Sequence, residues 1–76
     1  MTKTLITYRT PDYGFNQYCC VPDIWLSAMI SWLTGSQVSD VVAVRKNVDH
    51  PISVPVSWPH YKACLEYTHS VSLVEA

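Results

Sequence analysis

Three cysteines and three histidines carry most of what this chain could offer a metal ion or a nucleophilic reaction. Cys19 and Cys20 are adjacent, His50 stands alone, and His60, Cys64 and His69 come late. His60 and Cys64 are spaced i,i+4, so a helix would project both from one face, an arrangement that zinc accepts. A C-x-x-C knuckle is missing, and neighbouring side chains such as Cys19 and Cys20 converge poorly on one ion. A second chemistry is a reactive thiol. Cys19 and Cys20 come just before a predicted helix start near Pro22, where the helix dipole lowers a thiol pKa. Against this, the chain has no glycine-rich elbow, no nucleophile motif and no orienting carboxylate. Asp12, Asp23, Asp40, Asp49, Glu66 and Glu75 are scattered, and two glycines, Gly14 and Gly35, are too few for a phosphate-cradling loop. The expectation is a protein that is not an enzyme and holds neither metal nor cofactor. A thiol- or zinc-dependent site built from Cys19, Cys20, His60 and Cys64 is the alternative.

The aromatic residues are the stronger lead, at 12% of the chain. Trp25 and Trp32 fall on a predicted helix and read as core. Tyr13, Phe15 and Tyr18 sit with Asn16 and Gln17 in a stretch without regular periodicity. Tyrosine is amphipathic, loses few rotamers on contact and dominates binding hot spots. The expected partner-binding residues are therefore Tyr13, Phe15 and Tyr18, helped by Tyr8 and Arg9. A second candidate patch is Trp58, His60 and Tyr61. The competing reading is that the aromatic stretch folds back as a lid on the core.

These residues need elements to hold them. Residues 4–10, "TLITYRT", are β-branched and aromatic and predict a strand, closed by Pro11, Asp12 and Gly14. Residues up to Val21 are expected to form a long loop. "VPDIWLSAMISWLTGS" predicts a helix: Pro22 suits a first turn, Asp23 the positive end of the dipole, and Gly35 a stop. Its apolar positions are Ile24, Trp25, Ala28, Met29, Trp32 and Leu33, opposite Ser27, Ser31 and Thr34. The Val-rich residues 38–47 predict a second strand and residues 52–58 a third. Pro55 lacks a ladder donor and makes that third strand an edge or only partly paired. Residues 57–69 read as a second helix, with Tyr61, Cys64, Leu65 and Thr68 facing inward. Residues 70–76 read as a short strand or a frayed end. The result is one α+β domain over residues 1–76, a small two-layer fold of order β-α-β-β-α-(β), the ferredoxin-like plan.

Composition limits the partners. The hydrophobic share is 49% and the charged share 14%, against about 25% charged in an ordinary soluble domain. A surface so poor in charge tends to associate, with another protein or with itself. Only Arg45 and Lys46 are neighbouring cations among five, and the net charge is −1, which argues against nucleic acid. The uncharged stretch 24–39 is interrupted by polar residues and falls short of the ~20 apolar residues that span a bilayer. No signal-like leader is legible at the N-terminus, so the expected setting is the cytoplasm, with reduced thiols. The expected function is that of a small protein-binding module that docks an aromatic, weakly charged surface onto a partner protein. By association with other small domains lacking catalytic groups, it would be an accessory or inhibitory protein of viral or mobile-element type. A self-associating structural subunit is a further alternative, favoured if one sheet edge is free to pair.

Overall fold

The computed structural model describes residues 2–12, 14–35, 39–59 and 72–74. The first strand, β1 (Lys3–Arg9), alternates between buried and half-buried positions until its exposed last residue. Thr4, Ile6 and Tyr8 face the core, and Lys3, Leu5 and Thr7 the opposite side, as a two-residue period requires. The predicted long loop is shorter than expected, because its second half is a strand, β2 (Gln17–Pro22). β2 pairs antiparallel with β1, from Lys3↔Pro22 to Tyr8↔Gln17, so the two form a hairpin. The hairpin connection is braced by side chains. Arg9 donates from Nε and a terminal nitrogen to Asn16 Oδ1, at 3.2 and 2.9 Å, and Gln17 donates to Thr10 Oγ1 at 3.0 Å.

Helix α1 (Asp23–Gly35) follows β2 without a break. Its N-terminus is pinned to the start of β1: the Asp23 amide donates to the Thr2 carbonyl at 3.1 Å, and Thr4 Oγ1 donates to Asp23 Oδ1 at 2.7 Å. The Thr4 hydroxyl, which favours the charged carboxylate, is the first cause holding the Asp23 pKa below its ordinary value. Met29, Trp32 and Leu33 are the buried positions of α1, with Trp25, Leu26 and Ile30 packed against the same core. Ile24 and Ala28, expected on the inner face, are exposed instead. The seam runs one step around the helix from its predicted position, because the helix is apolar on more than one face and periodicity alone does not select among them.

Strand β3 (Asp40–Lys46) pairs antiparallel with the other side of β1. β2 and β3 thus point the same way, with β1 between them and α1 crossing over. The register shifts at Thr7/Tyr8, where Tyr8 opposes Val41 and Thr7 opposes Ala43, leaving Val42 as a bulge residue. Asn47 ends the strand with φ 58°, a left-handed conformation that asparagine tolerates. β4 (Ser53–Pro55) touches β2 through the single pair Cys20↔Ser53 and runs parallel to β5 (Ser72–Val74). The sheet order is β3-β1-β2-β4-β5.

Pro55 is not at the outer edge, since Val74 of β5 lies beside it. The Ile52 carbonyl and the Val56 amide both bond towards β5, at 3.0 and 2.8 Å. Alternate residues of a strand bond to opposite sides, so the missing donor of Pro55 falls on the β2 side. The β2 ladder has already ended there, at Ser53.

The class is α+β, a mixed five-stranded sheet with, among the described residues, one helix on one face. The expected order β-α-β-β-α-(β) differs at its start, which is β-β-α. In the ferredoxin-like plan a helix joins the first two strands; here they form a hairpin. The predicted second helix falls mostly on residues 60–71, outside the described residues. The core is Ile6, Tyr8, Cys19, Val21, Met29, Trp32, Leu33, Val54 and Trp58.

Candidate binding site

The sheet has two faces, and α1 packs on one of them. On the other, cross-strand pairing sets side chains in rows. Tyr18, Thr7 and Ala43 form one row, and Ser53, Cys20, Leu5 and Arg45 the next. Beside these rows lies a groove of about 360 Å³ lined by Leu5, Tyr18, Cys20, His50, Pro51 and Ser53. The wall formed by His50 and Pro51 is tied down at two points. Lys3 Nζ donates to the His50 carbonyl at 2.6 Å, and the Cys20 thiol approaches the same oxygen at 3.9 Å. The ammonium of Lys3 is thus drawn to a backbone oxygen. None of the six lining side chains is an acid, a lysine or an arginine, so the groove suits an apolar or neutral group.

The expected partner-binding residues are distributed unevenly by this arrangement. Tyr18 is 55% exposed and stands on the rim of the groove. Phe15 is 61% exposed in the hairpin connection. Arg9 is exposed, with its guanidinium engaged by Asn16. Tyr8 is buried in the core and presents nothing to a partner, because strand alternation turns it with Ile6 towards α1. Trp58 is also a core residue, not a surface one; its ring lies 6.3 Å from that of Trp25, centroid to centroid, tilted by 53°. Tyr13, His60 and Tyr61 lie outside the described residues. The groove residues Leu5, Pro51 and Ser53 carry no expectation from sequence, and His50 enters there only among the possible metal ligands, not as a partner-binding residue. The available signal was the open-face position of Leu5, but its pairing with Cys20 depends on a strand that does not alternate.

The alternative thiol or zinc site loses its first half. Successive strand residues point to opposite faces: Cys19 enters the core beside Val21, whereas Cys20 lines the groove. The two thiols cannot serve one ion or one active centre. His60 and Cys64 are outside the described residues, among which no group of three or more His, Cys, Asp or Glu side chains could hold a metal ion. Burial raises the Cys19 pKa to about 12, with the neighbouring Cys20 adding to the effect. Burial also raises the Cys20 pKa, against the opposing influence of Lys3. Neither cysteine is the activated thiolate that nucleophilic chemistry requires.

The Tyr8 hydroxyl is fully buried and has no hydrogen-bond partner among the described residues. Desolvation, then proximity to Cys19, raises its pKa far beyond the ordinary tyrosine value. A buried hydroxyl left unpaired costs about 1–3 kcal/mol. Tyr8→Phe is therefore expected to leave stability unchanged or to raise it by up to ~1 kcal/mol. A urea titration showing a loss above ~1 kcal/mol would mean that the hydroxyl is hydrogen-bonded after all.

Fold and site together define a small α+β domain with a grooved open sheet face. No family model, curated protein or solved structure matches the chain. Among the described residues, no helix is long and apolar enough to cross a membrane.

Proposed function

We propose that this chain is a small protein-binding domain that docks the groove side of its sheet onto a partner protein. The observation that carries the reading is Tyr18, an exposed ring on the rim of a groove with no acid, lysine or arginine among its six described lining residues. A partner's apolar side chain would enter between Leu5 and Pro51, and Tyr18 would close over it. Phe15, three residues earlier, would extend the contact from the hairpin connection. In such interfaces a few aromatic anchors supply most of the binding energy. The consequence for the partner is steric: the domain covers the bound surface, as an inhibitor or adaptor does.

Tyr18→Ala and Phe15→Ala should fold normally, since both side chains are exposed. Each should weaken partner binding at least about tenfold, or roughly 1.4 kcal/mol. The measurement is capture by the immobilised wild-type domain from its native cell, then titration of the captured protein against both variants. Val56→Ala serves as a control, an exposed apolar residue outside the groove lining. Equal affinity for wild type and both variants would reject the groove face as the binding surface.

A further inference from the structure

Charge is spread unevenly over the open face of the sheet. Strand alternation places Lys3 and Arg9 of β1 on that face, with Leu5 and Thr7. On β3 the register sets Asp40 beside Arg9, Ala43 beside Thr7 and Arg45 beside Leu5, so these three share the open face. Lys46 stands beside Thr4 on the helix face instead. β2 and β4 add Tyr18, Cys20 and Ser53 to the open face. The strands therefore present Lys3, Arg9 and Arg45 there against one acid, Asp40, on a chain whose net charge is −1.

Asp40 offsets its cross-strand neighbour Arg9, whose guanidinium is also engaged by Asn16. Lys3 and Arg45 remain, and both flank Leu5 of the groove. Lys3 precedes it by two residues on β1, and Arg45 lies directly across from it on β3. Arg45 is exposed and pairs with no acid among the described residues. Lys3 donates to the His50 carbonyl and keeps its charge, which acts on the Cys20 thiol at the groove floor. Asp49, next to His50 in the chain, forms an ion pair with neither cation.

We propose that the partner segment taken by the groove is acidic: an extended stretch, running across the strands, with an apolar side chain between Leu5 and Pro51 and an Asp or Glu two residues away that meets Arg45. This rests on the groove reading above and names the chemistry of its partner. Neighbouring strands lie about 4.8 Å apart, so Arg45 starts one strand beyond Leu5. Residues i and i+2 of an extended chain point the same way about 7 Å apart, which suits the step from the groove to the Arg45 side chain. A guanidinium takes a carboxylate through two parallel hydrogen bonds. The positive field of Lys3 and Arg45 also turns away basic segments that would fit the groove by shape.

Selection from a displayed library of short random peptides, on the immobilised full chain, tests the proposal. The expected enriched peptides carry an apolar residue with Asp or Glu two positions away. A synthetic peptide of the enriched sequence then gives affinities. Arg45→Gln should weaken its binding about three- to fivefold, the upper end for an exposed ion pair. Lys46→Gln removes the same charge from the helix face of the same strand and should leave binding unchanged. Selection on Arg45→Glu should replace the acid by Lys or Arg at the same spacing. Circular dichroism shows that each variant is folded. Enriched peptides without an acid, dependent on Tyr18 and indifferent to Arg45, overturn this proposal and leave the groove reading standing. Equal losses for Arg45→Gln and Lys46→Gln overturn it too, since they report net charge alone. No enriched peptide, or peptides that bind Tyr18→Ala as tightly as the wild type, overturn both.

Discussion

Trp32→Ala is expected to leave little folded protein at room temperature. Trp32 is 8% exposed and lies in the core with Met29 and Leu33 beneath α1. Truncating a buried tryptophan to alanine typically costs about 3–5 kcal/mol, the sum of lost transfer energy and the cavity left behind. A domain near the small end of the size range has a total stability of about 5 kcal/mol. The helix cannot shift to fill the space, because Asp23 holds one end to Thr2 and Thr4. At the other end the Ser39 amide bonds the Leu33 carbonyl at 3.0 Å. Thermal melting by near-ultraviolet circular dichroism reads the outcome. A variant with near-native melting would place Trp32 at a surface and break the present account of the core.

Cys19 is expected to resist alkylation in the folded protein far more than any other property would suggest from its position near a helix start. Burial pushes its pKa up to about 12, well above the ~8.5 of a free thiol. At neutral to mildly alkaline pH the reactive thiolate is then scarcer by roughly 10³-fold, since each pH unit is a factor of ten. Burial also blocks the reagent, so the rate should fall by at least that order relative to the chain in denaturant. Iodoacetamide labelling at pH 8, located by fragment mass spectrometry, separates Cys19 from Cys20. Folded-state labelling of Cys19 within about tenfold of the denatured rate would show an accessible thiol, and would reverse the placement of β2. In the same experiment Cys20, on the groove floor, reports on the other face of the strand.

The residues themselves determined much of this. The alternation in β1 and the start and stop signals of α1 were legible, because each depends on local spacing and on chain chemistry within a few residues. The scarcity of charge was equally plain, and with it the expectation of an associating surface. β2 was not legible as a strand. QYCCVP is apolar nearly throughout because Cys19 and Val21 meet the core while Cys20 and Pro22 are covered on the other side. A strand covered on both faces has no period to read. The same fact hid the site: Tyr18 joins Leu5 and Pro51 around one groove only once the hairpin sets the register. Tyr8 shows the converse, since its residue type suits a surface and only its parity within β1 sends it inward. Local physics thus set what each segment could be. Pairing between distant segments decided which side of each strand faced the core, and therefore which aromatics were left to meet a partner.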